Sequence, residues 1–596
     1  MILNKKDIVK KDNYNIFILI TIIFIYIIST CIYRDLFGME CRNALFAKEM
    51  LNNIKFIPTY LNHPYPDYPP IYFWLEVFFA KLIGGINTIS AVLPSCLAFL
   101  GTSIVLFFLI KSISKDINLA LLTTIIFLSF PKIFDAASHV TIDILLTFTV
   151  SVTLICLYLS DKNKDIGHIY NYKWFSISII FMIISFLVKG LIGIVLPFVV
   201  WNLYLFLKYR RSSIRFILYF SLICFLVAII CQFIEFFIDY KEYGLSFAKR
   251  VISLQVTSRL TKYKDQIPFY YILVTISCIF PWLIVVIYLF FINTKNINFF
   301  KKFRYIYNKF HLSVIEYDLL LFGISWFIGI FTVFELASCK HSRYLYPATP
   351  GLAIILAIII YELYNHDNKL LSFFKKFSLT ILFLPFIPIL LGIKEVTLHI
   401  TIFSLIILIT FICWYLISFI NTKIRPWFYL SMTIIFLISS FSLLFNTKYS
   451  QKQSGSQFMN CINTHAKHIF STYKNIPVYV CGIKMDGNGV KLSYYAASYL
   501  NLKFINYKEL SKLKKPSLLI CYQKDAQKLL NILDKKYKTQ ILCKGLVHKV
   551  PTEGFLITKK TKQGKNNEQI STFNTIGSTF KCICSDCSKT GDENNR

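Results

Sequence analysis

The sequence predicts an all-α polytopic membrane protein followed by a small α/β domain, and three observations support this fold class. Of the 596 residues, 56% are hydrophobic and only 16% are charged. The apolar residues occur in runs of roughly 20, which at about 1.5 Å per residue in a helix is long enough to cross a bilayer. From about residue 451 onward these runs give way to short alternating strand-like and helix-like segments.

The apolar runs predict about thirteen transmembrane helices. The first, at residues 15–33, follows a basic cytoplasmic N-terminus at residues 1–14. It is too long for a signal-peptide core and lacks a small-residue cleavage site, so we expect a signal anchor. Further spans are predicted at residues 87–110, 117–132, 140–160, 174–188, 190–208, 214–238, 269–292, 317–336, 344–364, 372–393, 399–420 and 426–446.

The distribution of basic residues sets the expected orientation. The chain carries a net charge of +33, which in a soluble protein would indicate nucleic acid as a partner. Here Lys and Arg concentrate in alternate links between spans, as the positive-inside rule requires for cytoplasmic loops. We therefore expect no nucleic-acid partner, and we expect membrane lipids with phosphate headgroups as the anionic partners. The first outer loop, residues 34–86, then lies outside the cytoplasm.

The segment at residues 451–558 is predicted to be a small α/β domain on the outer face. Strands are predicted at residues 478–483, 518–522, 539–542 and 554–558, and helices at residues 493–500 and 526–536. Residues 559–596 are polar and expected to be disordered. The sixteen cysteines show no disulfide framework. Cys582, Cys584 and Cys587 in the tail lack a fourth ligand, so no zinc site is expected there.

Acidic and basic residues recur in the links predicted to face outward and at the outer ends of spans. Arg and Lys bind phosphate through charge-assisted hydrogen bonds, and a carboxylate can orient or deprotonate a nucleophile. Such a set suits an enzyme that binds a lipid phosphate and activates an acceptor. The candidate residues are Asp35, Glu40, Arg42, Asp67, Tyr68, Tyr72, Asp143, Lys189, Arg259, Lys340, Arg343 and Tyr344.

Each candidate also has a structural interpretation. Lys189 and Arg343 stand at span ends, where long basic side chains extend to the interface. Asp143 at the start of a span could cap its helix or pair with an Arg. The pair Pro69–Pro70 could simply end a helix. The stronger argument for a site is that all of the candidate residues are predicted to lie on the same side of the membrane.

Six segments, in order, resemble the GT-C glycosyltransferases of the aminoarabinose transferase and protein O-mannosyltransferase superfamily. The resemblance covers about residues 34–360, and two positions depart from the family pattern. Met39 stands where the family often has an acid, and Tyr68 stands where the family has a lysine before Pro-Pro. The segments are ECRNALFAKEML, PYPDYPPIYFWL, HVTIDILLTF, LVKGLIGIVLP, QVTSRLT with IPFYYI and FPW, and KHSRYLYPATPGLAIILA.

The resemblance implies sugar transfer from a polyprenyl phosphate. Glu40 and Arg42 would take the places of the acid and arginine of the first outer loop, with Asp35 beside them, and Asp143 would be a supporting acid. Lys189, Arg259 and Tyr344 would bind the donor and its phosphate, as we expect also of Lys340 and Arg343. Asp67, Tyr68 and Tyr72 would support the site.

The expected function is transfer of an aminoarabinose-like sugar, or a related hexose or hexosamine, from undecaprenyl phosphate to lipid A or another envelope acceptor. The expected location is the periplasmic face of a bacterial inner membrane. No cofactor is required by any ligand spacing, although a divalent cation between acids and phosphate is compatible with the chemistry. Two alternatives stay open: the same chemistry on a protein Ser or Thr, and a polyprenyl-lipid transporter or flippase, for which intramembrane charges are also typical. The absence of an inverted sequence repeat disfavours the transporter.

Overall fold

The computed structural model describes most of the first 364 residues and five segments of the C-terminal part. The chain forms two compact units, one comprising the helical part up to residue 456 and the other most of the chain from residue 457. The predicted spans at residues 372–393, 399–420 and 426–446, the predicted helix at 493–500 and the tail from 560 lie outside the described residues. The described ranges are 34–36, 39–60, 63–163, 170–254, 269–293, 312–337, 340–364, 478–481, 502–505, 517–533, 537–547 and 550–559, with scattered positions at 20–31 and 458–462.

The first outer loop contains two short helices and a small hairpin. Helix α1 spans Met39–Met50, with Glu40 in its first turn and Lys48 in its last, an arrangement that complements the helix dipole. Strands β1 (Thr59–Tyr60) and β2 (His63–Pro64) pair antiparallel. Helix α2 (Ile71–Ile83) begins directly after Pro70 and ends at Gly84, which adopts a left-handed conformation with φ of 94°.

Long apolar helices follow the outer loop. Seven segments of the described chain are long and apolar enough to cross a membrane, or eight if one bent pair counts as a single span. The predicted fold class is therefore confirmed, while the total of thirteen spans stays a prediction. The helices are α3 Thr88–Ser114, α4 Ile117–Leu128, α5 Pro131–Ala137, α6 Ile142–Lys162, α7 Tyr172–Lys189, α8 Ile192–Tyr209, α9 Ile214–Tyr243, α10 Leu245–Ile252, α11 Tyr270–Asn293, α12 Val314–Leu336 and α13 Thr349–Tyr364.

One predicted span, at residues 117–132, is broken in the structure. Helix α4 ends at Leu128, and α5 continues from Pro131 at an angle of 68° to it. Proline has no N–H to donate and disfavours a helical residue before it, so the helix cannot run through this position. Pro131 instead takes the first position of α5, where its missing N–H costs nothing.

The predicted spans on either side of Lys189 are two separate helices. Gly190, with φ of 72° and ψ of −153°, separates α7 from α8. Three residues later Gly193 packs so closely on α7 that a Cβ there would lie 2.3 Å from the backbone carbonyl carbon of Ser185. These two glycines hold Lys189 at the outer end of a tight helical hairpin.

A buried polar network links the C-terminal ends of α6 and α8 to the N-terminal end of α12. Asp318 on α12 accepts a hydrogen bond of 2.7 Å from Tyr158 on α6 and one of 3.1 Å from Tyr204 on α8. The ammonium groups of Lys162 and Lys208 lie 2.7 and 3.5 Å from the Asp318 carboxylate. Both lysines belong to links predicted to be cytoplasmic, which places this network at the opposite end of the bundle from the candidate site.

The C-terminal unit contains a five-stranded mixed sheet, as expected for an α/β domain. The strand order is β4-β3-β5-β7-β6, with β3 parallel to β4 and β5, and β5 antiparallel to β7. Its elements are β3 Val478–Cys481, β4 Leu502–Ile505, β5 Ser517–Tyr522, α14 Gln523–Leu533, β6 Tyr537–Val547 and β7 Val550–Lys559.

One disulfide lies in this unit, although the spacing of the cysteines shows no disulfide framework. Cys461 and Cys543 are bonded across 82 residues of sequence. Spacing alone does not reveal this pair, because the fold of the unit brings the two residues together. Cys481 and Cys521, by contrast, are buried in the core beside Leu529 and Phe555, as expected for small apolar residues.

Candidate active site

Arg34 and Glu40 form a buried ion pair at the base of the first outer loop. The two guanidinium nitrogens Nη1 and Nη2 donate to Oε2 and Oε1 of Glu40 at 2.7 and 2.9 Å. Nη2 also donates to the carbonyl of Ser138 at 2.6 Å, and the N–H of Val140 donates to Glu40 Oε1 at 3.0 Å. Burial raises the pKa of Glu40, but Arg34 and these hydrogen bonds outweigh it and hold the pKa below its usual value.

A second cluster lies at the N-terminal end of α6 and the C-terminal end of α7. The Lys189 ammonium group pairs with Oδ1 of Asp143, and the Arg343 Nε lies 3.6 Å from Oδ2. Lys189 also sits 4.4 Å from the centre of the Tyr344 ring, a cation–π contact. Asp143 and Lys189 are almost completely buried, at 4% and 6% exposure. Four predicted site residues are therefore brought together here.

Arg343 and Tyr344 reach this cluster from a 3₁₀ turn, Ser342–Ala348, that precedes α13. The turn is fixed by Tyr271 on α11, whose hydroxyl accepts a hydrogen bond from the His341 N–H at 3.2 Å. Lys340 belongs to a neighbouring pair with Glu335 rather than to the Asp143 cluster. The structure thus separates Lys340 from the two residues that follow it in the sequence.

Arg42 lies on α1 among aromatic side chains. Its Nη1 donates to the hydroxyl of Tyr65 at 3.0 Å, and its guanidinium carbon lies 5.4 and 5.6 Å from the rings of Tyr65 and Tyr68. Burial raises the pKa of Tyr65 to about 12, so this hydroxyl is neutral at physiological pH. These contacts hold Arg42 among aromatic rings, and within the described chain they pair it with no carboxylate.

Tyr68 joins the first outer loop to the Asp143 cluster. Burial has the largest effect on the Tyr68 hydroxyl and raises its pKa. The charge of Asp67 has the next largest effect and raises the pKa as well. The charges of Arg42 and Arg343 lower it, and Asp143 raises it slightly. The charges of Arg42, Arg343 and Asp143 all act on the Tyr68 hydroxyl, which requires that all three lie near it. Tyr68 thus occupies the point where the sequence lacks the family's lysine.

Two guanidinium N–H groups at this point have no hydrogen-bond acceptor. The Nε atoms of Arg42 and Arg343 are buried, and neither has a hydrogen-bond partner among the residues that the structure describes. A buried donor left unsatisfied costs free energy, and more so for a charged group. Such donors are suited to an anionic ligand such as a phosphate.

The remaining predicted residues have supporting or undetermined positions. The Tyr72 hydroxyl is buried and lies 2.7 Å from Ser95 Oγ, which in turn accepts the Thr141 N–H at 2.9 Å. Tyr72 therefore steadies the segment before Asp143. Asp35 and Asp67 are half-buried at the loop surface, and Arg259 lies outside the described residues. Across the described chain, no group of three or more His, Cys, Asp or Glu side chains could hold a metal ion.

Sequence reasoning missed two residues that shape the site. Arg34 is one of the basic residues expected on the outer side, but its ion pair with Glu40 was not predicted. Tyr65, which accepts the Arg42 hydrogen bond, lies in the same PYPDYPP motif as Tyr68. An arginine and an acid flanking a helix start, beside a membrane span, is a signal that could have identified the Arg34–Glu40 pair.

Comparison with known proteins gives one family match and several relatives. Residues 67–234 match the family described as dolichyl-phosphate-mannose-protein mannosyltransferase. An undecaprenyl phosphate-alpha-4-amino-4-deoxy-L-arabinose arabinosyl transferase of Wigglesworthia glossinidia brevipalpis is 27% identical over 374 residues, 61% of each chain. An uncharacterized protein of Aquifex aeolicus is 26% identical over 372 residues, 58% of this chain and 66% of that one.

Two solved structures share the fold over most of the chain. The crystal structure of ArnT from Cupriavidus metallidurans bound to undecaprenyl phosphate superposes with a TM-score of 0.65 at 16% identity, covering 90% of this chain and 97% of that one. The apo state of the same protein superposes with a TM-score of 0.64 at 14% identity over the same shares. The chain therefore shares the fold of these structures over most of its length.

The predicted GT-C resemblance is therefore confirmed, together with the multi-pass membrane character of the protein. The sequence match spans 61% of the length of the Wigglesworthia relative. The family match begins at Asp67 and so contains Tyr68, Asp143 and Lys189. Arg34, Glu40 and Arg42 precede it, although they contact the same site.

Proposed function

We propose that this GT-C protein is a membrane glycosyltransferase that moves a sugar from undecaprenyl phosphate to lipid A or another envelope acceptor. The observation that carries the proposal is the pair of buried Nε–H groups of Arg42 and Arg343. Neither donates a hydrogen bond within the described chain, and that of Arg343 lies 3.6 Å from Asp143 Oδ2. The names of the relatives support it, because one is an arabinosyl transferase with an undecaprenyl-phosphate donor and one matched structure holds undecaprenyl phosphate.

The reaction needs little beyond positioning and charge. The bond between the sugar's anomeric carbon and the phosphate oxygen breaks as an acceptor oxygen bonds to that carbon, and the electron pair stays on the departing phosphate. Arg42 and Arg343 neutralise the charge that develops there, and each well-placed donor of this kind contributes roughly 10²–10³-fold in rate. Holding donor and acceptor in register supplies the rest.

Asp143 is proposed to organise the cations and to face the acceptor. Its two oxygens already contact Lys189 and Arg343, so it fixes both positive groups at one point. If the acceptor is a hydroxyl, the Asp143 carboxylate can act as the general base that accepts the hydroxyl proton. If the acceptor is a lipid A phosphate, it is already anionic and needs little help from a base.

Glu40 is proposed to position the loop rather than to exchange protons. Three hydrogen bonds from Arg34 and Val140 occupy its oxygens. Its contribution is to lock α1, which carries Arg42, against the Ser138–Val140 segment that leads to Asp143.

The active site is proposed to face the periplasm of an inner membrane. Lys162 and Lys208, at the opposite end of the helices, lie in links with the excess of basic residues typical of the cytoplasmic side. The Cys461–Cys543 disulfide supports an oxidising compartment for the C-terminal unit. The proposed donor and acceptor lipids are both accessible from that face.

The proposal is tested by sugar transfer in membranes that contain each variant at equal levels. We expect Arg343→Ala and Arg42→Ala each to lower transfer from an undecaprenyl-phosphate sugar by about 10²-fold or more. Lys111→Met, which removes a lysine near the opposite end of the bundle, is the matched control and should keep near wild-type activity. Wild-type rates in both arginine variants would refute the assignment.

The acceptor is identified separately. The family match to a protein mannosyltransferase favours protein Ser or Thr as the second candidate acceptor. Mass spectrometry of lipid A and of envelope proteins, with and without the gene, distinguishes the two. A covalent sugar product formed by purified protein in detergent micelles, where no membrane separates two compartments, would exclude a role confined to lipid transport.

A further inference from the structure

Helix α10 follows directly after the long helix α9. Helix α9 has 30 residues, which corresponds to about 45 Å, whereas the hydrocarbon core of a bilayer is about 30 Å thick. It begins at Ile214, where the predicted span also begins, so its extra length lies at the C-terminal end. Gly244, with φ of 83° and ψ of 173°, then turns the chain in a conformation that favours glycine, and α10 begins at the next residue.

The side chains near the C-terminal end of α9 place this end at the membrane surface. Phe233 and Phe237 are exposed on the helix and face the surrounding lipid. Tyr240, one turn further along, is exposed as well, and tyrosine side chains concentrate where the hydrocarbon core meets the headgroups. Because α10 begins only about one turn after Tyr240, it lies at the depth of the lipid headgroups.

Helix α10 has two faces of different chemistry. Ala248 and Val251 are buried against the protein. Phe247 and Val251 form part of the wall of a groove of about 240 Å³, whose lining also includes Tyr65 and Tyr68 of the candidate site. The other face carries four exposed polar side chains, spaced three or four positions apart, so that they form one stripe along the helix. These are Ser246, Lys249, Arg250 and Ser253.

The two basic side chains of this stripe are not neutralised by the protein. Lys249 and Arg250 are exposed, and neither pairs with an acid in the part of the chain that the structure describes. The positive-inside rule disfavours basic residues on the predicted outer side, so membrane topology does not explain them. A helix of eight residues is also marginal by itself. The stripe is therefore suited to an anionic group at headgroup depth that stabilises the helix.

We propose that Lys249 and Arg250 bind the phosphate of an anionic membrane phospholipid, and that this contact anchors α10 at the membrane surface. Ammonium and guanidinium groups both form charge-assisted hydrogen bonds with phosphate oxygens, and basic residues near an anionic membrane surface are attracted to it. The hydroxyls of Ser246 and Ser253 flank the two cations and can donate to further phosphate oxygens. The stripe faces away from the groove, so this lipid is distinct from the sugar donor.

The test labels Lys249 in purified full-length protein that is reconstituted in nanodiscs without any sugar donor. One set of nanodiscs contains phosphatidylcholine alone, which has no net charge, and the other contains added phosphatidylglycerol, which is anionic. We expect brief acetylation of Lys249, measured by mass spectrometry, to be roughly threefold or more slower in the anionic nanodiscs. The physical reason is that a bound phosphate shields the amine and favours its unreactive ammonium form.

Three variants distinguish a bound lipid from the average charge of the bilayer. Arg250→Gln removes one of the two cations and should abolish most of the slowing at Lys249, whereas Arg250→Lys keeps the charge and should retain most of it. Lys81→Gln removes an exposed cation from α2, outside the stripe, and should leave the slowing unchanged. Thermal denaturation verifies that each variant is folded.

Hydrogen exchange of the α10 backbone amides measures the anchoring. These amides should exchange several-fold more slowly in the anionic nanodiscs, because the anchored helix opens less often, and Arg250→Gln should remove the difference. Exchange that is the same in both bilayers would refute the anchoring.

Two labelling results would overturn the lipid site itself. One is equal acetylation of Lys249 in the two bilayers, and the other is an equal loss of slowing in Arg250→Gln and Lys81→Gln. Either result would identify the stripe as an ordinary solvent-facing surface. Neither measurement requires sugar transfer, so the outcome is independent of the proposed function.

Discussion

His341 lies next to the charged groups of the candidate site. Its ring packs edge-on against Tyr344, with the ring centres 5.2 Å apart. Burial lowers its pKa, the charges of Arg343 and Lys189 lower it further, and Asp143 opposes them. The neutral imidazole is therefore the form that the folded protein favours.

The acid sensitivity of the 340–344 segment follows from this lowered pKa. Stability contributed by neutral His341 is fully present above about pH 6.5, its unfolded value, and is lost as pH falls through the lower folded value. We expect the melting temperature of the purified protein to fall between pH 6.5 and 5, and His341→Gln to reduce that fall. An identical pH profile for the variant would contradict the expectation.

At the residue scale, the sequence indicated which residues could form the site, but it did not indicate which residues they contact. Asp143, Lys189, Arg343 and Tyr344 could be proposed from their positions at span ends, and the structure brings all four together. The Arg34–Glu40 pair was not predicted, because an acid in an outer loop is equally compatible with catalysis and with a buried ion pair. The deciding fact is the packing of Ser138 and Val140 on the pair, which is a long-range contact.

At the element scale, the hairpin of α7 and α8 depends on one glycine. A Cβ at Gly193 would lie 2.3 Å from the Ser185 carbonyl carbon and oxygen, both backbone atoms that cannot move independently of the helix. Gly193→Ala must therefore push the helices apart, at a cost on the order of 1–3 kcal/mol. Because Lys189 ends α7, we also expect about 10²-fold slower sugar transfer from its displacement relative to Asp143.

Gly101→Ala is the matched control for this prediction. A Cβ there would approach the Phe148 ring at 2.8 Å, and that ring is the far end of a side chain. The neighbour can adjust, so we expect a smaller loss of thermal stability and near-normal transfer. Melting temperatures and transfer rates of the two variants check the comparison, and equal effects would show that the close approach at Gly193 is not special.

Element types were predictable because apolar runs and proline positions act locally. The separation of α7 and α8 was predicted from the sequence, with the break at Lys189, whereas the 68° bend between α4 and α5 was not predicted. Pro131 indicates this bend, but hydropathy averaged over a whole span does not detect a single proline. The outward extension of α9 by several residues was missed for the related reason that Glu235 and Asp239 lower the local hydropathy.

At the scale of the whole molecule, the disulfide in the C-terminal unit reports on membrane orientation. Cys461 and Cys543 enclose 82 residues, and closing a loop of that length contributes about 4 kcal/mol in the chain-entropy model. We expect Cys461→Ser to lower the melting temperature of the C-terminal unit. In intact cells, wild-type protein should show the oxidised form on non-reducing gels.

Protein that is retained in the cytoplasm during expression should lack that oxidised form. Cys521→Ser, which changes a buried cysteine outside the disulfide, is the control, because it should preserve the gel shift. Complete reduction of the wild-type pair in cells would contradict the proposed periplasmic location. The pairing itself was not predictable, because the fold of the unit, and not sequence spacing, makes Cys461 and Cys543 neighbours.

The Arg34 guanidinium also constrains the order of biosynthesis. Glu40 is synthesised six residues after Arg34, whereas Ser138 is synthesised 104 residues after Arg34. At bacterial elongation rates that interval is roughly 5 to 20 s. Until then Arg34 lacks the Ser138 carbonyl that it contacts in the folded protein. Synthesis of the Ser138 segment is therefore required before this set of contacts can be completed.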